Sequence, residues 1–222
     1  MRILITGSSS GIGKKVAEMF LQKGHQVFGI DLNASSIKDT NYTHFVADIK
    51  DKNALPEIEN IDIIFNNAGL QNSNDDIANN LQGTINVTEK YMEGNSALKS
   101  ILFNASASSI SGAEFPQYAA SKAGVVGYMK NVAIKLAPKG ITVNAISLGG
   151  VKTDLNKPVM EDKEKFAKIM EVTPMKKWTE VDEVCQWVYF LTCVNKSCSG
   201  QNILIDNGEH DLNDRFVWWL II

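Results

Sequence analysis

Arg2-Ile3-Leu4-Ile5-Thr6-Gly7-Ser8-Ser9-Ser10-Gly11-Ile12-Gly13 decides the fold. The first five residues form a short apolar run of the length of a buried strand. Glycines then break the pattern, and a helical one begins. From Gly11 to Gly24, Ile12, Val16, Met19 and Phe20 share one face, and Gly24 stands where a helix stops. A strand, a glycine turn and a helix N-terminus together make a site for a pyrophosphate, which needs backbone N–H groups at close range and the positive end of a helix dipole. Gly7 can take the sharp turn, Gly11 lets the backbone approach a phosphate, and Gly13 lets the helix pack close to the strand. The spacing is G-x-x-x-G-x-G. Gly7, Ser9, Ser10, Gly11, Ile12 and Gly13 are therefore the candidate phosphate cradle.

The same alternation continues outward. Strands are expected at 26–31, 44–48, 61–66, 100–104, 141–147 and 202–205. Helices are expected at 76–93, 118–137 and 181–191, the second stopped by Pro138. Strands alternating with helices imply right-handed crossovers and a parallel sheet covered on both faces. The expected fold is a single-domain α/β, doubly wound parallel sheet of about seven strands, a Rossmann fold spanning residues 1–222. The second strand ends at Asp31, 20 residues beyond Gly11. A carboxylate there can accept from a ribose 2′-OH and would repel a 2′-phosphate. With no Arg or Lys at Ser10, Leu32 or Asn33, the cofactor expected is NAD rather than NADP. Asp48, with Ile49 after it, is placed at the end of the third strand to meet the adenine.

Composition excludes several classes. The 222 residues carry a net charge of −3, with no basic cluster beyond short pairs, so nucleic acid is not an expected partner. Cys185, Cys193 and Cys198 form no C-x-x-C, and His25, His44 and His210 are scattered, so reduced thiols, a cytoplasmic location and no metal are expected. The N-terminal apolar run is too short for a signal peptide, and no run approaches a membrane span. The apolar tail, about 210–222, reads as a contact surface.

Tyr118 and Lys122 lie four apart on an expected helix, so both project from one face. A phenol is a poor base at neutral pH, and a nearby ammonium together with an oxidised nicotinamide favours the phenolate. The array Thr6–Gly13, Asn66-Asn67-Ala68-Gly69, Asn80-Leu81-Gln82-Gly83, Ser106, Tyr118-x-x-x-Lys122, Val143-Asn144-Ala145-Ile146 and Asp206-Asn207-Gly208 resembles the short-chain dehydrogenase/reductase family over nearly the whole chain. The resemblance implies a hydride transfer between NAD(H) and a secondary alcohol or ketone. Tyr118 would be the general acid/base, Lys122 would hold the nicotinamide ribose, and Ser106 would orient the substrate oxygen. Asn80 would hold a relay water, and Asn67, Ala68 and Gly69 would support the sheet beside the cofactor. Thr153, with Gly149 and Val151, would meet the nicotinamide from the loop after the sixth strand.

Some features depart from the family pattern. Leu148-Gly149-Gly150 stands where Pro-Gly is usual, which predicts a looser loop at the nicotinamide. The stretches 48–66, 69–80 and 106–118 are short. Residues 154–178 read as a lid with an amphipathic helix, over an apolar pocket or in ordinary packing. Glu114 and Phe115 read as a surface loop, with contact to a small-molecule alcohol or ketone substrate as the alternative. A homodimer or homotetramer is expected through the tyrosine-bearing helix, where Gly124, Val125, Gly127 and Tyr128 would allow close approach. The rival reading is a non-catalytic, nucleotide-binding regulatory or scaffolding protein on the same fold.

Overall fold

The computed structural model describes residues 1–212. Seven strands, β1 (Arg2–Thr6), β2 (Gln26–Asp31), β3 (Tyr42–Val46), β4 (Ile63–Asn66), β5 (Ser100–Asn104), β6 (Thr142–Leu148) and β7 (Asn202–Ile205), form one sheet. The order is β3-β2-β1-β4-β5-β6-β7, and every pairing is parallel. The chain walks outward from β1 to β3, then returns to β4 on the other side of β1. That reversal opens a crevice at the carboxyl ends of β1 and β4, where doubly wound sheets hold their ligands.

Strand alternation sends side chains to two cores. On one face Leu4, Ile64, Ile101 and Val143 pack with Val125, Met129 and Val132 of α4 (Pro116–Leu136). On the other, Ile3, Ile5, Phe65 and Leu102 meet Val16 and Phe20 of α1 (Gly11–Gln22) and Val184 and Val188 of α7 (Val181–Tyr189). Phe20, Phe65 and Phe103 are fully buried, each contributing about 2 kcal/mol by leaving water.

The structure moves some expected boundaries. β3 starts at Tyr42 rather than residue 44, because the Tyr42 hydroxyl donates to Ser8 Oγ (3.0 Å) behind the glycine turn and carries residues 42–43 into the ladder. Asp48 thus lies past the strand. The helix expected at 76–93 is a π-helical turn at Ile77–Gly83 continued by α2 (Thr84–Met92). After the short α3 (Ser108–Ser111), α4 starts two residues early, with Pro116 in its first turn, where proline needs no N–H partner. Its Gly124 does not face outward: a Cβ there would stand 2.7 Å from Leu81 Cδ2, so this glycine seats the π-helical turn on α4. Val125 is core, Tyr128 packs edge-on to Phe103 (6.0 Å), and Gly127 has open space beside it. Residues 213–222 of the apolar tail lie outside the described residues.

Candidate active site

A cleft of about 870 Å³ opens over the carboxyl edge of the sheet. At one end lies the glycine turn. Gly7 has φ +68°, and its N–H donates to Ile30 O (2.8 Å). A Cβ on Gly13 would stand 2.0 Å from Gly7 O and 2.6 Å from Asn67 Nδ2, so only glycine lets α1 approach the turn. Beside Gly11 there is open space. Ser10 makes no side-chain cap and the first turn of α1 holds no acidic residue, which leaves its N-terminal N–H groups turned to the cleft. That is the environment a pyrophosphate requires, and the residues present fit a dinucleotide.

Asn67 clamps the turn to the sheet. Its amide donates to Thr6 O (3.1 Å) and Gly7 O (3.2 Å) and accepts from Asn104 Nδ2 (3.0 Å). Thr6 Oγ1 accepts from the N–H groups of Asn67 and Ala68, both at 3.0 Å. Asp31 lines the cleft, and its carboxylate is oriented by Ser9 N–H (3.0 Å) and Asn33 N–H (2.9 Å). The cleft lining also includes Ser10, Gly11, Ile12, Leu32, Ile49, Ala68, Gly69, Gly149, Val151 and Thr153. Ser9, Gly13, Asp48 and Asn80 do not line it: Ser9 and Gly13 act from behind the turn, and Asp48 lies 3.8 Å from Lys50 Nζ.

At the other end Ser106, Tyr118 and Lys122 converge on the same space. Tyr118 and Lys122 share a face of α4, and the Lys122 ammonium stands 5.8 Å from the Tyr118 ring centre. Lys122 Nζ donates to Asn104 O (2.8 Å). A Cβ on Gly69 would be 3.2 Å from both Lys122 Nζ and Asn80 Oδ1, so Gly69 gives these groups room. Burial pushes the Lys122 ammonium down to about 8, against the charge of Asp76. Burial pushes the Tyr118 phenol up; the Ser106 hydroxyl opposes this, and the Glu114 and Asp76 carboxylates add to it.

Asn80 sits behind Lys122 with its side chain fully engaged. Oδ1 accepts from Leu70 N–H (2.7 Å) and Asn79 Nδ2 (3.2 Å), and Nδ2 donates to Leu70 O (2.8 Å) and Ser121 Oγ (3.0 Å). These bonds fix the Gly69–Leu70 backbone beside the lysine, and the π-helical turn sets the reach of Asn80.

Sequence reasoning missed Asp76, 1% exposed, four residues before Asn80. Its Oδ1 accepts from Ser73 N–H (3.2 Å) and Ser73 Oγ (2.7 Å), while Oδ2 has no partner. Ser73-x-x-Asp76 before an apolar residue is a capping-box signature that would have found it. Glu114 and Phe115, read as surface loop, line the cleft, as do Gln71, Glu209 and His210, for which the sequence carried no signal.

The loop expected to be loose is held. Leu148 ends β6 buried in the core, and Gly149 N–H donates to Ile205 O (3.0 Å). Gly150 O accepts from Thr179 N–H (3.0 Å), and a Cβ on Gly150 would lie 2.0 Å from Trp178 Nε1. The Trp178 indole lies over this glycine and does the stiffening that proline would have done. The segment after it folds as α5 (Lys157–Glu161) and α6 (Lys163–Val172), and Leu155, Val159 and Ile169 reach the cleft. Phe166 of α6 meets Trp178 edge-on at 5.1 Å. Among the described residues no His/Cys/Asp/Glu group could hold a metal, and no helix is long and apolar enough to cross a membrane.

The parallel order, the glycine turn at the switch point and a Ser-Tyr-Lys set at the far end of one cleft define an oxidoreductase built for a nicotinamide dinucleotide. A family model described as enoyl-(acyl carrier protein) reductase matches residues 7–210. The chain belongs to the short-chain dehydrogenase/reductase family. It is 31% identical to a 3-oxoacyl-[acyl-carrier-protein] reductase of Buchnera aphidicola subsp. Schizaphis graminum, over 93% of this chain and 96% of that one. Among solved structures it resembles a 4-hydroxyisoleucine dehydrogenase mutant complexed with NADH and succinate, with a TM-score of 0.87, 23% identity, and 96% and 100% of the two chains covered. It also resembles ElxO with NADP bound, with a TM-score of 0.83, 26% identity, and 94% and 98% covered.

Proposed function

We propose that this chain is a cytoplasmic NAD(H)-dependent dehydrogenase/reductase acting on a secondary alcohol or ketone. The observation that carries the reading is the convergence of Ser106, Tyr118 and Lys122 on the cleft whose other end is the glycine turn. Gly7, Ser9, Ser10, Gly11, Ile12 and Gly13 would build and line the pyrophosphate end. Asp31 and Leu32, with Ile49 and Asp48 nearby, would hold the adenosine. Gly149, Val151 and Thr153 would face the nicotinamide, and Lys122 its ribose. Bound NAD supplies the hydride acceptor. Tyr118 takes or gives the proton at the substrate oxygen, and Ser106 fixes that oxygen within reach. Lys122, backed by Asn80 and Gly69, places positive charge beside the phenol. Asp31 supports NAD over NADP: its carboxylate is fixed in the cleft, and the lining beside it (Gly7, Ser10, Gly11, Ile12, Leu32, Asn33) carries no cation. Residues 154–178 would close over the substrate, and a homodimer or homotetramer would be the assembled form.

A panel of alcohols and ketones, run with NAD(H) and NADP(H) on the wild type and on Tyr118→Phe, tests the reading. Turnover with NAD(H) that falls by about a thousandfold in the variant is expected, within the range general acid–base catalysis supplies. Equal rates in the two proteins would overturn the role of Tyr118, and a preference for NADP(H) would overturn that of Asp31.

A further inference from the structure

β2 carries a glycine, Gly29, inside a strand, where a side chain would ordinarily add packing. A Cβ there would stand 2.2 Å from Tyr42 Oη and 2.3 Å from Ser8 Oγ, so the missing side chain leaves the space in which these two hydroxyls meet. Ser8 is fully buried. Tyr42 and His44 lie two apart on β3, the edge strand, so both rings stand on one face, with 5.9 Å between their centres. The Tyr42 hydroxyl donates to Ser8 Oγ (3.0 Å) and lies 2.9 Å from His44 Nδ1. The opposite ring nitrogen, His44 Nε2, is 2.9 Å from Asn33 O. A carbonyl only accepts, so Nε2 carries a hydrogen and donates it.

That carbonyl belongs to the turn that aims Asp31. Asn33 O also accepts from Ser9 Oγ (2.8 Å), so both of its lone pairs are used. Asn33 N–H donates to Asp31 Oδ1 (2.9 Å), joined by the Asn33 side-chain amide at 3.4 Å, and Ser9 N–H donates to Asp31 Oδ2 (3.0 Å). Each carboxylate oxygen is thus aimed by a residue tied to the Asn33 carbonyl. Leu32, Asn33 and Ala34 are all exposed, so hydrogen bonds rather than burial hold this turn. Asp31 and Asn33 line the cleft, whereas Tyr42 and His44 act from behind it.

We propose that His44 is a positioning residue for cofactor selection: from the edge strand it holds the Asn33 carbonyl, and through that turn it keeps the Asp31 carboxylate aimed into the cleft, while Tyr42 and Ser8 orient its ring. The inference rests on the reading of Asp31 as the group that meets the ribose. Specificity is a difference between two affinities, and a bad contact with the wrong ligand counts as much as a good one with the right. A carboxylate at the 2′ position supplies both only while it is held there. Once the turn is released, Asp31 can rotate towards solvent, which weakens its bond to a 2′-OH and relieves its repulsion of a 2′-phosphate. His44 need not touch the dinucleotide to have this effect.

The test compares the full chain as wild type, His44→Leu, His44→Gln and Tyr42→Phe, with NADH and NADPH as probes and no substrate. Leucine fills the space without a donor. Glutamine returns an N–H near the position of Nε2 and is the rescue. Calorimetric titration should show NADH bound about threefold or more weakly by His44→Leu, NADPH bound at least as well as by wild type, and the wild-type ratio regained in His44→Gln. Tyr42→Phe should move the ratio in the same direction as His44→Leu. A wild-type ratio in His44→Leu overturns the proposal. An equal loss in His44→Gln also overturns it, since packing rather than the donor would then be at work. Amide hydrogen exchange in the ligand-free protein judges the turn by itself: the Ser9 and Asn33 N–H groups, both bonded to Asp31, should exchange about threefold or more faster in His44→Leu, with the β1 and β2 amides unchanged. Unmoved exchange at both amides overturns the role of His44. Should the wild type prefer NADPH, or bind neither probe, the assignment of Asp31 to the ribose fails, while the exchange rates still decide whether His44 positions that carboxylate.

Discussion

Gly13→Ala should damage the fold, whereas Gly11→Ala should damage the cofactor site. At position 13 the new methyl would begin 2.0 Å from Gly7 O, an atom that cannot retreat, since Asn67 Nδ2 already binds it and Gly7 N–H is tied to Ile30 O. The whole of α1 must therefore slide by roughly an ångström off the turn, which costs about 2–3 kcal/mol as core overpacking. A further ~1 kcal/mol goes with the Asn67 bond. With an m-value of about 2–3 kcal/mol per molar urea for a chain of this size, the unfolding midpoint should fall by about 1–2 M. At position 11 nothing lies within 4 Å, and only φ +50° opposes a side chain. That costs about 1 kcal/mol, so the midpoint should fall by less than about 0.5 M. The methyl would nevertheless stand in the cleft, so affinity for NAD, read by quenching of tryptophan fluorescence, should drop more in Gly11→Ala than its small loss of stability explains. Equal midpoints for the two variants, or a wild-type midpoint for Gly13→Ala, would refute the close approach of helix and turn.

The remaining predictions concern charge. Lys122, lowered from its ordinary 10.5 to about 8, disfavours its ammonium in the folded state. Folding stability should therefore rise as pH climbs from 8 to 10.5, where the unfolded chain binds more protons, and Lys122→Met should be up to about 3 kcal/mol more stable at pH 7 in urea while losing activity. The rate should fall as pH passes about 8 and Lys122 loses its proton, visible in a kcat/KM profile. Asp76→Asn removes the charge that opposes this lowering, so the same limb should move to lower pH. Asp31→Ser should raise NADP(H) use relative to NAD(H) by about tenfold or more, measured as a ratio of kcat/KM values.

Much of this site could be read before folding, for reasons that differ by residue. Gly7, Gly11 and Gly13 were legible because a strand, a phosphate turn and a helix leave only glycine at those points. Tyr118 and Lys122 were legible because helical spacing puts both on one face, and Ser106 because it ends a strand at the ligand edge. The π-helical turn at Ile77–Gly83 was not, since its apolar spacing over so few residues matches an ordinary helix. Asp76 hid in Asn72-Ser73-Asn74-Asp75-Asp76, a run that reads as a solvated turn until Ser73 folds over its carboxylate. Leu148-Gly149-Gly150 looked loose because Trp178, the residue that stiffens it, is distant in sequence. Glu114 looked like surface because its bond to Ser108 needs a left-handed backbone that glutamate seldom takes.

The account turns on a phenol that exchanges a proton with a substrate oxygen in the cleft that also holds the nicotinamide. Single-turnover oxidation of NADH pre-bound to the enzyme, started with an accepted ketone, measures that step free of product release. A fast hydride-transfer phase in wild type, slowed by about a thousandfold in Tyr118→Phe with NADH binding unchanged, is the predicted result. A phase of the same rate in both proteins, or NADH binding lost with the hydroxyl, would contradict it.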